Sequence, residues 1–468
     1  MYRPRWRNNF LLSRFESFEN IAGDQRKLIT LILITTTLSI LPVGYHIIVL
    51  NVPSVVIQDG IARRLFNEEK ITTSKSTMDI LWAFIVSCQS IGALVGCFLL
   101  PKIQRSFGTK KALMLINNGI LLISSFFLFI AFYVNTLFFL ITGRILVGVY
   151  TGIGSALVPI YIQELAPKTI KGTLSCFVHV GVCIGSAAGS FLSITWILGG
   201  PTTWNFLLAI PAICGLIQIG ISRYIPDSPN YFLQKGDKPS AAESIKYYYN
   251  FDDFDDDVAI QEYKNLVTKT VPQISFWKAM EDEQTRQGIC LGIIISASQI
   301  FSGSMVSQYL MLIFSLLAEA VPESWGSVGF AIAFVIFGLG YNLGVGPISY
   351  FIPVEIVPGN SSGVALAIAV SVNWFCSLIS NLLYYPLIES VGAYSYLLFA
   401  LPTTIAVFVL YKKLPENIGH PKIVSGELVL TCNVSDYFID EEDSSAYGTF
   451  DTTVNNSVKS SRPSTSSR

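Results

Sequence analysis

The chain has 468 residues and a formal net charge of −1, with 51% apolar residues and only 13% charged residues. This balance argues against a soluble protein of this length and against a nucleic-acid partner, which would require a basic surface. Uncharged runs such as 28–58 and 80–101 are long enough to cross a lipid bilayer, whose core requires about 20 consecutive apolar residues in a helix. The composition therefore predicts an all-α membrane protein.

Ten membrane-spanning helices are predicted from these runs. The first 27 residues are basic and lack an apolar run, so the first span is expected to be an uncleaved anchor. Fourteen Lys and Arg residues lie on one predicted side and four on the other, which places both termini in the cytoplasm. The spans lie near residues 28–50, 80–101, 112–133, 137–160, 173–197, 205–222, 288–317, 326–352, 363–387 and 391–411.

The same pattern divides the chain into five segments. Cysteines inside the spans are expected to act as small apolar residues rather than in disulfides or metal sites, and no metal or cofactor is expected. The predicted segments are a cytoplasmic N-terminus at 1–27, a six-helix bundle at 28–222, a cytoplasmic central loop with short helices at 223–287, a shortened bundle of about four helices at 288–411, and a disordered cytoplasmic tail at 412–468.

One predicted span carries both glycines and charges, in the stretch GRILVGVYTGIGSALVPIYIQELAPKTIKG at 143–172. Gly148 and Gly152 lie on successive helical turns, where small residues allow another helix to approach closely. Arg144 lies inside the span, where a charge is costly and usually functional. Glu164 and Lys171 lie at the other end, where charges can pair across a moving interface.

These positions resemble the sugar-porter signature of the major facilitator superfamily. Further stretches resemble the facilitative glucose transporter (GLUT-type) branch in the same order, namely GY at 44–45 with NVP at 51–53, PDSP at 226–229, GVGPI at 344–348, NW at 373–374 and PENIG at 415–419. The resemblance implies a two-bundle carrier with a small-molecule sugar substrate, in which the bundles rock about a central site by alternating access. A hexose or a related polyol is the expected substrate.

The resemblance also implies a set of site residues. Gln299 matches the first glutamine of a family motif, whereas Ile300 and Met305 replace two of its polar residues. Sugars require fixed hydrogen-bonding groups and an aromatic face, because each hydroxyl must keep a partner on leaving water. The substrate-binding residues implied in this way are Gln299, Asn373, Trp374, His179, Asn342 and Tyr350, with Gly346 and Pro347 as the helix-breaking hinge.

A charged latch is implied at the cytoplasmic ends of the bundles, formed by Arg144, Glu164, Lys171, Lys110 and Glu355. Lys110 and Lys171 are the candidate partners of Glu164. Ser362 stands where the family has an arginine, so Glu355 is expected to lack a partner. The sequence therefore predicts that this end rests open, with an inward-facing carrier.

The second half is shorter than the family pattern. SQIFSGSMVSQYL at 298–310 resembles the seventh family helix, but the following residues resemble the end of the ninth, so about ten helices are expected instead of twelve. Two functions remain open: a facilitative uniporter, or a non-transporting homologue or incomplete form that acts as a sensor or is inactive. The first span contains no acid for proton coupling, and no nucleotide-binding loop accompanies the spans. An enzyme is not expected, because the spans contain no His/Asp/Glu cluster.

Overall fold

The computed structural model is predominantly helical, as the composition predicts. Met305 and the 415–419 motif lie outside the residues that the structure describes. The described residues are 26–69, 74–134, 137–167, 170–251, 255–267, 276–301, 328–329, 332, 335–336, 338–342, 344–357, 361–413, 422–424 and 427–429.

The first half of the chain contains six long apolar helices and one shorter helix. Helix α4 includes a π-helical turn at Ala112–Asn117, and helix α7 is interrupted at Pro211. The helices are α1 (Arg26–Ile48), α2 (Ser54–Glu69), α3 (Lys75–Phe107), α4 (Thr109–Val134), α5 (Leu137–Leu165), α6 (Lys171–Leu192) and α7 (Trp204–Ile221).

Glycines let the helices of this half pack backbone against backbone. A Cβ added to Gly148 would overlap the carbonyl oxygen of Gln89, and one added to Gly152 would overlap that of Ala93. Helices α3 and α5 therefore approach more closely than side chains would allow. The prediction that these glycines permit close helix packing is confirmed.

The central segment forms four short helices, α8 (Pro229–Lys235), α9 (Lys238–Tyr249), α10 (Asp256–Leu266) and α11 (Phe276–Glu281). Two tyrosines attach α9 and α10 to the end of α5. Tyr249 donates its hydroxyl hydrogen to the Leu165 carbonyl at 2.6 Å, and Tyr263 donates to the Glu164 carbonyl at 3.0 Å. Burial raises the pKa of both hydroxyls, which keeps them protonated as donors.

The second half contains α12 (Glu283–Phe301), α13 (Val345–Glu355), α14 (Ser362–Val391) and α15 (Leu397–Lys413). Among the described residues, eight helices are long and apolar enough to cross a membrane. The predicted spans near 288–317 and 326–352 extend over residues outside the described set, so the count of ten stays a prediction. The segment boundaries also stay predictions.

The tail at 415–468 is distinct from the unit that contains the helices. Its described part is a two-stranded antiparallel hairpin of β1 (Lys422–Val424) and β2 (Glu427–Val429), in which Ile423 pairs with Leu428. These strands lie within the tail that the sequence predicts to be disordered, and the rest of the tail after Lys413 is outside the described residues.

Candidate substrate site and latch

The two halves of the chain meet at the break that precedes α13 and at the first turn of that helix, where Gly346 lies against His179 of α6. A Cβ on Gly346 would overlap the Nε2 and Cε1 atoms of the histidine, so only glycine permits this contact. The Tyr350 ring lies 6.2 Å from the His179 ring, measured between centroids. The sequence-predicted hinge glycine therefore lies directly beside two of the predicted substrate-binding residues.

An amide network lies on one side of this break. Asn373 donates from Nδ2 to Gln299 Oε1 at 2.6 Å and to the Ser296 carbonyl at 3.2 Å. Gln299 in turn donates from Nε2 to the Gly346 carbonyl at 3.1 Å, and its side chain lies within reach of the Tyr350 hydroxyl. Both predicted amides are thus joined to the hinge by hydrogen bonds.

A second polar group lies on the α6 side of the break. His179 Nε2 lies 3.1 Å from Asn342 Oδ1, and Cys183 Sγ lies 3.0 Å from the same oxygen. The Asn342 amide nitrogen donates to the Gly338 carbonyl at 2.7 Å. The structure therefore brings His179 and Asn342 together and adds Cys183, which follows His179 by one helical turn and could have been found from that spacing.

Trp374 has a different environment. Only 7% of its surface is exposed, and it packs in the largest apolar core, against which Tyr350 also packs. In this conformation Trp374 does not line the cavity described next. Its expected role as a stacking face for a sugar stays a prediction.

A cavity of about 330 Å³ lies between α3 and the helices of the second half. Ser377 lies one helical turn beyond Asn373 and Asn381 lies two turns beyond it, so the cavity continues from the amide network. Ser380 Oγ is buried there without a hydrogen-bond partner among the described residues. The sequence reading missed these residues, although the spacing of Ser377 and Asn381 from Asn373, four and eight residues, is a usable signal. The cavity is lined by Ala83, Val86, Ile300, Ser377, Ser380, Asn381 and Phe399.

Lys110, one of the two predicted partners of Glu164, pairs with a different carboxylate. Glu164 Oε1 accepts a hydrogen bond from Thr109 Oγ1 at 2.7 Å. Lys110 and its neighbour Lys111 instead contact the carboxylate of Asp227, at 3.8 and 3.0 Å. The reason is that the PDSP turn after α7 brings Asp227 to the start of α4. These contacts brace the end of the first half against the central segment.

Arg144 does not belong to the latch. It lies 20 residues before Glu164 on the same helix, which corresponds to about 30 Å. Arg144 is 2% exposed, and its guanidinium donates to Gln89 Oε1 at 2.6 Å and to the His46 carbonyl at 3.3 Å. No carboxylate forms an ion pair with it in the part of the chain that the structure describes. Arg144 therefore ties together α1, α3 and α5 within the first half.

Glu355 is not isolated, contrary to expectation. Its carboxylate interacts electrostatically with Lys171, and its Oε1 atom lies 3.9 Å from the position of a Cβ on Gly172. Apolar residues of both halves, including Val178 and Val354, share one core cluster. The structure brings the two halves into contact at this end, whereas the sequence predicts that they stand apart there. The prediction relied on Ser362, which stands where the family has an arginine. Lys171 at the start of α6 supplies a cation near Glu355 instead.

The fold and this arrangement define a carrier of the major facilitator type, and comparisons with known proteins agree. The family model described as sugar (and other) transporter matches residues 31–314 and 306–422, so the chain belongs to that family of membrane carriers, which are not enzymes.

Curated relatives and solved structures give the same result. Facilitated glucose transporter member 4 of Mus musculus is 26% identical over 474 aligned positions, covering 86% of this chain and 92% of the relative. The same member from Homo sapiens is 26% identical and covers 84% and 88%. The proton:xylose symporter XylE bound to 6-bromo-6-deoxy-D-glucose is 18% identical, covers 84% of this chain and 97% of that chain, and has a TM-score of 0.62. The inward open conformation of XylE from E. coli is 20% identical, covers 83% and 96%, and also has a TM-score of 0.62.

Proposed function

We propose that the protein transports a hexose or a related sugar or polyol by facilitative uniport and alternating access. The observation that carries this proposal is the amide network of Gln299 and Asn373 at the hinge, which continues into a cavity with the unpartnered hydroxyl of Ser380. Fixed amides and hydroxyls can replace the water that a sugar hydroxyl loses on binding. The relatives that the chain resembles are facilitated glucose transporters, which supports the same substrate class.

The proposal of uniport is based on the composition of the first helix. Arg26–Ile48 contains no Asp or Glu, so it offers no membrane-embedded carboxylate for proton coupling. We further propose a plasma-membrane location with both termini in the cytoplasm, supported by the bias of Lys and Arg to one side. Labelling of a cysteine added at the C-terminus tests the topology, and labelling from outside intact cells would contradict it.

Transport is tested with the purified chain in liposomes. Uptake of a panel of radiolabelled hexoses, pentoses and polyols should saturate, should be accelerated by unlabelled sugar on the opposite side, and should not respond to an imposed pH gradient. Gln299→Ala should weaken uptake, whereas Gln287→Ala, an exposed position on the same helix, should not. A pH gradient that drives accumulation would replace uniport by proton symport.

A sensor without transport is the second candidate, favoured by the shortened second half. The family model matches in two overlapping segments, and the 474-position alignment contains 86% of 468 residues, about 402, so roughly 70 positions of the relative have no counterpart here. This gap is the length of about two spans with their loops. Saturable sugar binding without flux would favour this candidate.

A further inference from the structure

Three metal-ligating atoms of different chemistry converge beside the hinge. The imidazole His179 Nε2 and the amide Asn342 Oδ1 are 3.1 Å apart, Cys183 Sγ and Asn342 Oδ1 are 3.0 Å apart, and Cys183 Sγ and His179 Nε2 are 3.5 Å apart. The described residues contain no group of three His, Cys, Asp or Glu side chains that could hold a metal ion. An amide oxygen completes this group of three instead.

The size of the triangle fits a transition-metal ion. A point slightly outside its plane lies about 2.0–2.3 Å from all three atoms, which matches Zn–N, Zn–O and Zn–S bond lengths. We propose that His179, Cys183 and Asn342 form a Zn²⁺ site that bridges the two halves of the carrier.

The local structure holds the three ligands in place before the ion arrives. His179 and Cys183 are four residues apart on α6, so their side chains share one face of the helix. The Asn342 amide nitrogen is occupied by the Gly338 carbonyl at 2.7 Å, which turns Oδ1 toward the other two ligands. Asn342 is exposed, which leaves room for a fourth ligand on a tetrahedral ion.

Binding releases one proton and also requires the neutral His179 ring to carry its hydrogen on Nδ1, since Nε2, which donates to Asn342 Oδ1 in this structure, must bind the ion. The Cys183 thiol loses its proton to bulk solvent and the sulfur binds Zn²⁺ as a thiolate, while the imidazole and the amide bind as neutral ligands. The bound site then carries a net charge of +1, because no carboxylate takes part. Zn²⁺ affinity should therefore increase with pH and should increase further when a carboxylate is supplied.

The ion would act as a clamp between the halves. His179 and Cys183 lie in the first half and Asn342 in the second, so coordination fixes their relative position. His179 and Asn342 are also proposed substrate ligands, so Zn²⁺ should inhibit transport. Only this consequence rests on the proposed function, because the binding itself depends on the triangle alone.

Cobalt titration of the purified full chain in detergent tests the site. Co²⁺ should produce a thiolate-to-cobalt charge-transfer band that saturates at one ion per chain and is removed by excess Zn²⁺. Cys183→Ser and Cys183→Ala should each abolish the band, and His179→Gln should weaken binding by at least about tenfold. Asn342→Asp should tighten binding. Cys214→Ser, a half-buried cysteine on α7, is the matched control and should leave the titration unchanged.

The outcomes test the proposed Zn²⁺ site independently of the proposed carrier function. A band that survives in both Cys183 variants, or an affinity that is unchanged in His179→Gln or Asn342→Asp, overturns the proposed site. Each variant is compared only after it elutes as a monodisperse species at the position of the unmodified protein. Co²⁺ binding in a protein that does not move sugar would support the metal site and count against the carrier function alone.

Discussion

The two halves of the molecule are held together in different ways. In the first half, helices contact each other through backbone atoms at Gly148 and Gly152, and Arg144 links three helices through neutral acceptors. The second half has a small core of its own among the described residues, built around Ile289, Leu291 and Ile356. Several of its other buried residues, such as Trp374, belong to the core that the first half dominates.

This difference separates stability from function. Tight packing gives the first half a rigid structure that tolerates little change of volume. The second half depends on contacts with the first half and on amide hydrogen bonds at the hinge. Changes in the first half should therefore act on folding, and changes at the hinge should act on ligand binding and motion.

The largest effect is expected for Gly148→Val. The new side chain would overlap the Gln89 carbonyl and the Gly92 backbone, and overpacking of this kind costs about 1–3 kcal/mol or more. The variant should lose its monodisperse peak in size-exclusion chromatography and its thermal transition should move to lower temperature. Gly220→Val, on α7 with no neighbour within 4 Å of the new Cβ, is the control. Equal stability of the two variants would contradict the contrast between the halves.

Gly346→Ala should come next, with function lost and the fold kept. The added methyl group would push His179 away from the hinge, while the core of the first half is untouched. Sugar uptake should fall by at least about tenfold at equal expression, the scale of a lost 1.4 kcal/mol contact. Gly338→Ala meets open space and should behave like the unmodified protein.

Sequence was sufficient where periodicity determines the structure. The six spans of the first half follow from charge-free runs, and the role of Gly148 and Gly152 follows from their spacing on one helical face. Prediction from sequence failed where a long side chain can reach partners from different segments. Lys110 pairs with Asp227 and not with Glu164, and Lys171 lies beside Glu355, because the PDSP turn and the start of α6 determine which charges meet. Such contacts depend on the geometry of loops, which the helical periodicity of the sequence does not predict.

A double-mutant cycle tests whether the two amides at the hinge act together in sugar binding. Gln299→Ala and Asn373→Ala should each weaken sugar binding by about 1–3 kcal/mol, because each leaves a buried partner unpaired. Since Asn373 Nδ2 and Gln299 Oε1 are 2.6 Å apart, the double variant should lose less than the sum of the two. Calorimetric titration with the transported sugar measures this, with Gln287→Ala as the control. Strict additivity would mean that the two amides act independently.

A smaller effect is expected where the central helices attach to the first half. Tyr249→Phe and Tyr263→Phe each remove one hydrogen bond to the end of α5, worth about 0.5–1.5 kcal/mol. Thermal unfolding should begin earlier, with little change in sugar affinity. Tyr224→Phe, whose residue is largely exposed, should leave the transition in place. A loss of affinity without a loss of stability would place these tyrosines in the transport cycle instead.

The smallest effect is expected where the start of α6 meets the end of α13, for Lys171→Gln. Its interaction with Glu355 joins the two halves, but Glu355 is exposed, and partly exposed pairs contribute about 0.2–1 kcal/mol. Removing the cation should therefore shift the population only modestly toward the inward-facing state. Distances between spin labels near the ends of α5 and α13 report the change, and Lys102→Gln, an exposed lysine on α3, is the control of equal charge. A large opening in Lys171→Gln would show that this single pair, and not the shared apolar core around Val178 and Val354, keeps the two halves in contact.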